Sequence, residues 1–89
     1  METIYKENEI SLMQDNKIVG KVIFILGKDE LRLTQTIVNP EFRGQGIAGE
    51  LMKLVVKEAK EKGLKIIPIC SYAVSYFKKN NEYDYLLKN

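Results

Sequence analysis

The stretch that most constrains this chain is Val38-Asn39-Pro40-Glu41-Phe42-Arg43-Gly44-Gln45-Gly46-Ile47-Ala48-Gly49. Its three glycines, Gly44, Gly46 and Gly49, fall within six residues, where the longest helical pattern begins. Glycine accepts unusual φ/ψ and lets backbone approach a ligand closely. The first turn of a helix carries N–H groups without intrahelical partners and the positive end of the macrodipole. A glycine-rich turn at that place is an anion site, most naturally for phosphate, or else a turn with only a packing role.

The residues before this turn read as strands. Glu9 to Gln14 alternates weakly around Ile10 and Leu12, and Asp15-Asn16 is a turn signal. Lys17 to Leu26 is apolar on both faces, with Ile18, Val22, Phe24 and Leu26 on one and Val19, Ile23 and Ile25 on the other. Such a strand is expected at the centre of a sheet. Gly20 within it signals a bulge, and the two-residue turn signals a hairpin. After Gly27-Lys28-Asp29-Glu30, residues 31–38 form another strand. Strict alternation puts Leu31, Leu33, Gln35 and Ile37 on one face and Arg32, Thr34, Thr36 and Val38 on the other. Gln35 is the one polar member of its face, so it is either hydrogen-bonded structure or part of a polar substrate pocket. Asn39-Pro40 ends the strand.

Beyond the glycines, Ile47, Leu51, Val55 and Ala59 recur at i+4, as do Ala48, Met52 and Val56. That spacing predicts a helix over 46–62, stopped by Gly63. Residues 65–70 read as a short strand that Pro68 confines to an edge or bulged position. Ser71 is an expected N-cap for a second helix over 72–80. Glu82 to Leu87 reads as a last short strand through Tyr83, Tyr85 and Leu87. The order β-β-β-α-β-α, with that final β, predicts one α/β domain with a mixed sheet, antiparallel strands leading into a β-α-β unit. The strands at 31–38 and 64–69 should be parallel neighbours joined by a right-handed crossover.

Several functions are excluded by what is missing or scarce. The chain of 89 residues has no histidine, which removes His-based metal sites, Ser-His-Asp triads and histidine bases together. One cysteine forms no internal disulfide, which fits a reducing cytoplasm. No signal-peptide core or membrane-length apolar run is present. A net charge of +2 suits a small anionic ligand but does not argue for nucleic acid. Lys78, Lys79 and Lys88 read as a solvated face. So small a core leaves monomer and homodimer both open.

Three phosphate signatures compete for the glycines. The P-loop requires Lys-Ser/Thr after its last glycine, and Glu50-Leu51 stand there. The dinucleotide fingerprint is met literally by Gly44, Gly46 and Gly49, but without its run of alternating parallel strands. The third fits best: Arg43-Gly44-Gln45-Gly46-Ile47-Ala48 resembles the R/Q-x-x-G-x-G/A motif of the GCN5-related N-acetyltransferases. The preceding Val38 to Phe42 resembles that family's usual lead-in from strand to loop, and the run Lys65-Ile66-Ile67-Pro68-Ile69-Cys70-Ser71-Tyr72 and Asn81-Glu82-Tyr83 resemble its very short YjdJ-type members.

The resemblance implies an acetyl-CoA-binding protein that moves acetyl to an unidentified amine, or a CoA or acyl-CoA binding module without turnover. It implies that the backbone of Arg43, Gly44, Gln45, Gly46, Ile47 and Ala48 holds the pyrophosphate of acetyl-CoA. It further implies a V-shaped opening between the strands at 31–38 and 64–69, with Ile37 and Val38 offering backbone groups to the pantetheine arm. Cys70 is the sharper catalytic candidate, as nucleophile or proton relay. It precedes a predicted helix start, where the dipole favours negative charge and suits a reactive sulfur. It also fits as a small packing residue. Tyr76 is a second candidate, although alignment puts Phe77 where many relatives have a tyrosine acid. The expected elements begin with strands, without the N-terminal helices with which longer relatives shape the acceptor site.

Overall fold

A computed structural model describes residues 1–88. Five strands form one sheet in chain order: β1 (Glu2–Lys6), β2 (Glu9–Gln14), β3 (Lys17–Leu26), β4 (Glu30–Val38) and β5 (Lys65–Pro68). The first four pair antiparallel, and β5 pairs with β4 in parallel. Helix α1 (Ile47–Lys62) connects β4 to β5, and α2 (Ser71–Lys79) follows β5. The mixed sheet and the central position of β3 agree with the sequence expectation. The hairpin between β2 and β3 turns on Asp15 and Asn16, at φ 51° and 64°. Two consecutive left-handed residues make the type I′ turn that matches strand twist.

Four features depart from the sequence reading. β1 was not anticipated, because all five of its residues are exposed and no burial pattern marks it. Residues 81–86 form a 3-10 helix rather than a strand, and Leu87 alone bridges to Ile66. α2 begins at Ser71 with Cys70 as its N-cap residue, one position earlier than expected. Finally, strict alternation fails along β4. Ile23 faces Gln35 but Phe24 faces Leu33, so Thr34 is an extra residue. This bulge inverts the pattern beyond it. Leu31 and Leu33 are buried, whereas Gln35 and Ile37 stand exposed on the opposite face. The Thr34 hydroxyl donates to the Ile23 carbonyl at 3.0 Å and fixes the irregularity. A second bulge leaves Val19 without a partner on β2, next to Gly20, as the glycine suggested.

Both helices pack on one side of the sheet. Ile47, Leu51, Met52, Val55, Val56 and Ala59 of α1 and Ala73 and Phe77 of α2 join a single core with Ile10, Val22, Phe24, Leu31, Leu33 and Ile66. α1 packs tightly against β3 at Gly20. A Cβ there would lie 2.8 Å from Ile47 Cγ2 and 3.0 Å from the Ile37 carbonyl oxygen. That contact seats the first residue of α1, and with it the glycine turn, against the end of β4. At its far end α1 stops at Gly63 (φ 66°), whose N–H bonds back to the Ala59 and Lys60 carbonyls.

Candidate functional site

The glycine turn begins as β4 ends. Asn39 accepts from the Glu41 N–H through its side chain and Pro40 starts a single 3-10 turn, Pro40–Phe42. Arg43 is then extended, and Gly44 and Gly46 are left-handed at φ 80° and 74°. A residue with a Cβ would be strained by roughly 1–2 kcal/mol at either position. Among the described residues nothing lies within 4 Å of where a Cβ would stand at Gly44 or Gly46, so their packing does not demand these glycines. The backbone conformation does. The first bond of α1 runs from the Glu50 N–H to the Gly46 carbonyl at 3.1 Å. The amides of Ile47, Ala48 and Gly49 precede it, so they have no intrahelical acceptor. Arg43, Gly44, Gln45 and Gly46 are exposed around them, while Ile47 is anchored in the core.

Beside the turn the sheet splits. The β4–β5 register ends at Leu33 opposite Pro68. The Leu33 carbonyl accepts from both Ile69 N–H (2.9 Å) and Cys70 N–H (3.1 Å), after which β5 turns into α2. On the other side of β4, the Asn39 N–H donates to the Val19 carbonyl at 2.9 Å. Alternation along an antiparallel ladder then directs the backbone groups of Ile37 and Gln35 toward β3. Those of Thr36 and Val38 are directed to the β5 side, past the last rung. Of the two residues expected to line the opening, Val38 faces it and Ile37 is turned to Lys21.

Cys70 stands at the apex of this opening. Its Sγ lies 3.3 Å from Thr36 Oγ1, a hydrogen bond across from α2 to β4. Thr36 is a neighbour of Cys70 that strict alternation concealed, since only the bulge at Thr34 turns its side chain to the helix side. A threonine pair flanking a polar residue inside an apolar strand was the available signal. Tyr72 comes from the first turn of α2 and is exposed; its hydroxyl would lie 4.0 Å from a Cβ on Gly49. Tyr76 stacks between Tyr72 and Tyr83, with centroids 6.2 Å and 6.4 Å away. Burial, then Tyr83, pushes its phenol above the usual range, so it stays protonated at neutral pH. Tyr76 lies six positions beyond Cys70, about 9 Å along the helix axis. Phe77 is buried at 2% exposure and belongs to the core. Gln35 projects from the uncovered face of the sheet and does not join the others.

Known proteins share this fold. The family described as GCN5-related N-acetyl-transferase matches residues 7–86. The comparison with curated proteins gave no match. A solution structure of a GCN5-like protein from Staphylococcus aureus aligns with a TM-score of 0.79 at 29% identity, over 99% of this chain and 88% of that one. The ribosomal-protein-S18-alanine N-acetyltransferase of Escherichia coli aligns at 0.70 and 20% identity, over 84% of this chain and 53% of its own. A GNAT family acetyltransferase from Elizabethkingia anophelis, solved with acetyl-CoA bound, aligns at 0.65 and 22% identity, over 84% and 51%. The last two bear on the fold alone, and this chain spans about half their length. The family match covers nearly the whole sequence, and the chain belongs to the GCN5-related N-acetyltransferase family.

Proposed function

We propose that this chain binds acetyl-CoA and transfers its acetyl group to an amine, as a short YjdJ-type member of its family. One observation carries the reading: Gly44 and Gly46 hold left-handed backbone that nothing in the packing requires, and they lead into unpartnered first-turn amides. A pyrophosphate fits this chemistry. It needs N–H donors, a positive helix end and backbone within reach, and residues 43–48 supply all three. The family neighbour from Elizabethkingia anophelis, which holds acetyl-CoA, supports the same ligand.

Acetyl-CoA, when bound, brings an acyl group already activated as a thioester. The chain's residues do the remaining work. Arg43 to Ala48 hold the pyrophosphate through the backbone. Val38, together with Thr36, presents backbone groups to the pantetheine arm along the split edge of β4. Cys70, held by Thr36 at the apex of the split, is assigned to the reacting end as nucleophile or proton relay. Tyr76 lies farther down α2 and is the weaker candidate for a proton donor.

A second reading has its own observation. Phe77 occupies the tyrosine position of many relatives and is buried in the core, so that donor is missing. The chain would then bind CoA or acyl-CoA without turnover. Incubation with acetyl-CoA and a panel of polyamines, peptides and free amines separates the two, read as acetylated product and free CoA thiol. Transfer that Cys70→Ala abolishes supports the enzyme. Binding without transfer to any amine favours the module.

A further inference from the structure

β1 is the outer strand of the sheet, and among the described residues none pairs along its free edge. All five of its residues, Glu2-Thr3-Ile4-Tyr5-Lys6, are exposed. An exposed edge strand with neither proline nor bulge is a template for another strand. Its hydrogen-bonding phase follows from the hairpin. Lys6 pairs with Glu9 across a two-residue turn. The pair flanking such a turn is hydrogen-bonded, and pairs alternate from there. Glu2, Ile4 and Lys6 therefore direct their backbone groups to β2, and Thr3 and Tyr5 direct theirs outward. The side chains divide in the same way. Thr3 and Tyr5 pair with the core residues Leu12 and Ile10 and lie on the helix side, while Glu2, Ile4 and Lys6 lie on the uncovered face.

These two patterns are self-complementary in one register. Consider a second β1 laid antiparallel with Ile4 against the partner's Ile4. Thr3 then faces the partner's Tyr5, and Tyr5 the partner's Thr3, so the outward groups meet in hydrogen-bonded pairs. Glu2 faces the partner's Lys6, and Lys6 the partner's Glu2. The neighbouring registers, Thr3 against Thr3 or Tyr5 against Tyr5, keep the hydrogen-bond phase but leave both charges without an opposite. Opposite charges directly across a strand pair favour pairing, and like charges oppose it. On the helix side, the partner's Tyr5 would stand next to Thr3, at a groove of about 460 Å³ lined by Met1, Thr3, Leu12, Glu50 and Leu54. The groove offers apolar side chains to a ring and a carboxylate to its hydroxyl.

We propose that β1 is the contact through which two copies of this chain join their sheets, as a two-fold pair centred on Ile4. The symmetry is isologous and closes at two copies. The split between β4 and β5 lies at the opposite end of the sheet, so pairing leaves the split open in both copies.

Sedimentation equilibrium over a concentration series up to millimolar tests this. The mass should rise from 10.3 kDa toward twice that value. Glu2→Lys alone or Lys6→Glu alone should hold the mass at one chain, because each sets like charges opposite one another. The double swap Glu2→Lys/Lys6→Glu should restore pairing, and so should mixing the two single variants. Tyr5→Pro should abolish it, since the lost N–H points outward and β2 does not use it; circular dichroism confirms that each variant is folded. A single-chain mass at every concentration overturns the proposal. So does a double mass that ignores the swaps, or a double swap that fails to recover it.

Discussion

Gly20 links the fold to the candidate site, and Gly20→Ala tests that link. The added Cβ would lie 2.8 Å from Ile47 Cγ2, 3.0 Å from the Ile37 carbonyl oxygen and 3.2 Å from Leu51 Cδ1. Carbon atoms pack at about 3.5–4.0 Å. Ile47 must therefore withdraw by roughly 0.7 Å, while the Ile37 oxygen is backbone in a paired strand and cannot yield. Overpacking of this kind costs about 1–3 kcal/mol, and contact with backbone places the variant in the upper half, at about 2–3 kcal/mol. For a domain of this size, 1 kcal/mol moves the melting point by about 4–8 °C, so a fall of about 10 °C or more is expected. Because Ile47 opens α1, acetyl-CoA affinity should fall as well. Gly49→Ala is the opposing control. Its Cβ would stand 4.0 Å from the Tyr72 hydroxyl, in ordinary contact. Alanine is preferred to glycine in a helix by up to about 1 kcal/mol, so this variant should be as stable as the wild type or more so. Thermal unfolding followed by circular dichroism, with an acetyl-CoA titration of each variant, measures both. A Gly20→Ala protein as stable as the wild type would refute the packing assigned to Gly20.

Three further outcomes follow from the site and its surroundings. Thr36→Val removes the Cys70 partner without changing shape. Losing one hydrogen bond of about 1 kcal/mol should lower turnover roughly fivefold at unchanged acetyl-CoA affinity, with Thr36→Ser restoring it; equal turnover in all three proteins contradicts a positioning role. Tyr76→Phe should keep turnover within a few-fold, because Tyr76 packs in the aromatic row away from the opening; a loss of about 100-fold would instead make its phenol the proton donor. The Glu30 carboxyl is held below its ordinary value of 4.5 by the Arg32 guanidinium first and the Lys88 ammonium second. Its contribution is complete above that value and disappears as pH falls through the lowered folded value. Glu30→Gln should therefore unfold less steeply toward acid than the wild type, and superimposable pH profiles would show that the cluster contributes nothing.

The parts of the fold legible in the sequence are those that bury apolar side chains with a regular period. β3 and α1 show this directly, and Gly63 marks the end of α1 by its left-handed turn. β1 was illegible because it buries nothing. Tyr83, Tyr85 and Leu87 alternate like a strand, but a 3-10 helix presents them differently and only Leu87 forms a bridge with β5. The largest misreading came from one residue. Thr34 carries neither glycine nor proline to announce a bulge, yet its insertion moves Gln35 out of the site region and brings Thr36 in. The glycine turn was legible because its chemistry is backbone chemistry, and glycine is the residue through which backbone shape is written into sequence. Cys70 was identifiable by its place before a helix, whereas its partner depended on strand parity and stayed hidden.

The Lys88 ammonium, read from sequence as part of a solvated face, is exposed and also pairs with Glu30 at 2.9 Å and Asp29 at 3.5 Å. The segment after α2 is thereby tied back to the turn before β4. The Lys88 N–H also donates to the Ile66 carbonyl at 3.0 Å, which covers part of the β5 edge. The same edge strand carries the residues that lead into Cys70, so these ties steady one wall of the opening.

The central claim is that the left-handed glycine turn at the start of α1 holds the pyrophosphate of acetyl-CoA. Isothermal titration of acetyl-CoA into the wild-type protein and into Gly46→Glu tests it directly. A saturable one-to-one isotherm is expected for the wild type. In the variant, a side chain and a negative charge intrude at the turn, and binding should vanish while circular dichroism shows a folded protein. No detectable binding by the wild type at millimolar acetyl-CoA, or unchanged affinity in folded Gly46→Glu, would contradict the claim.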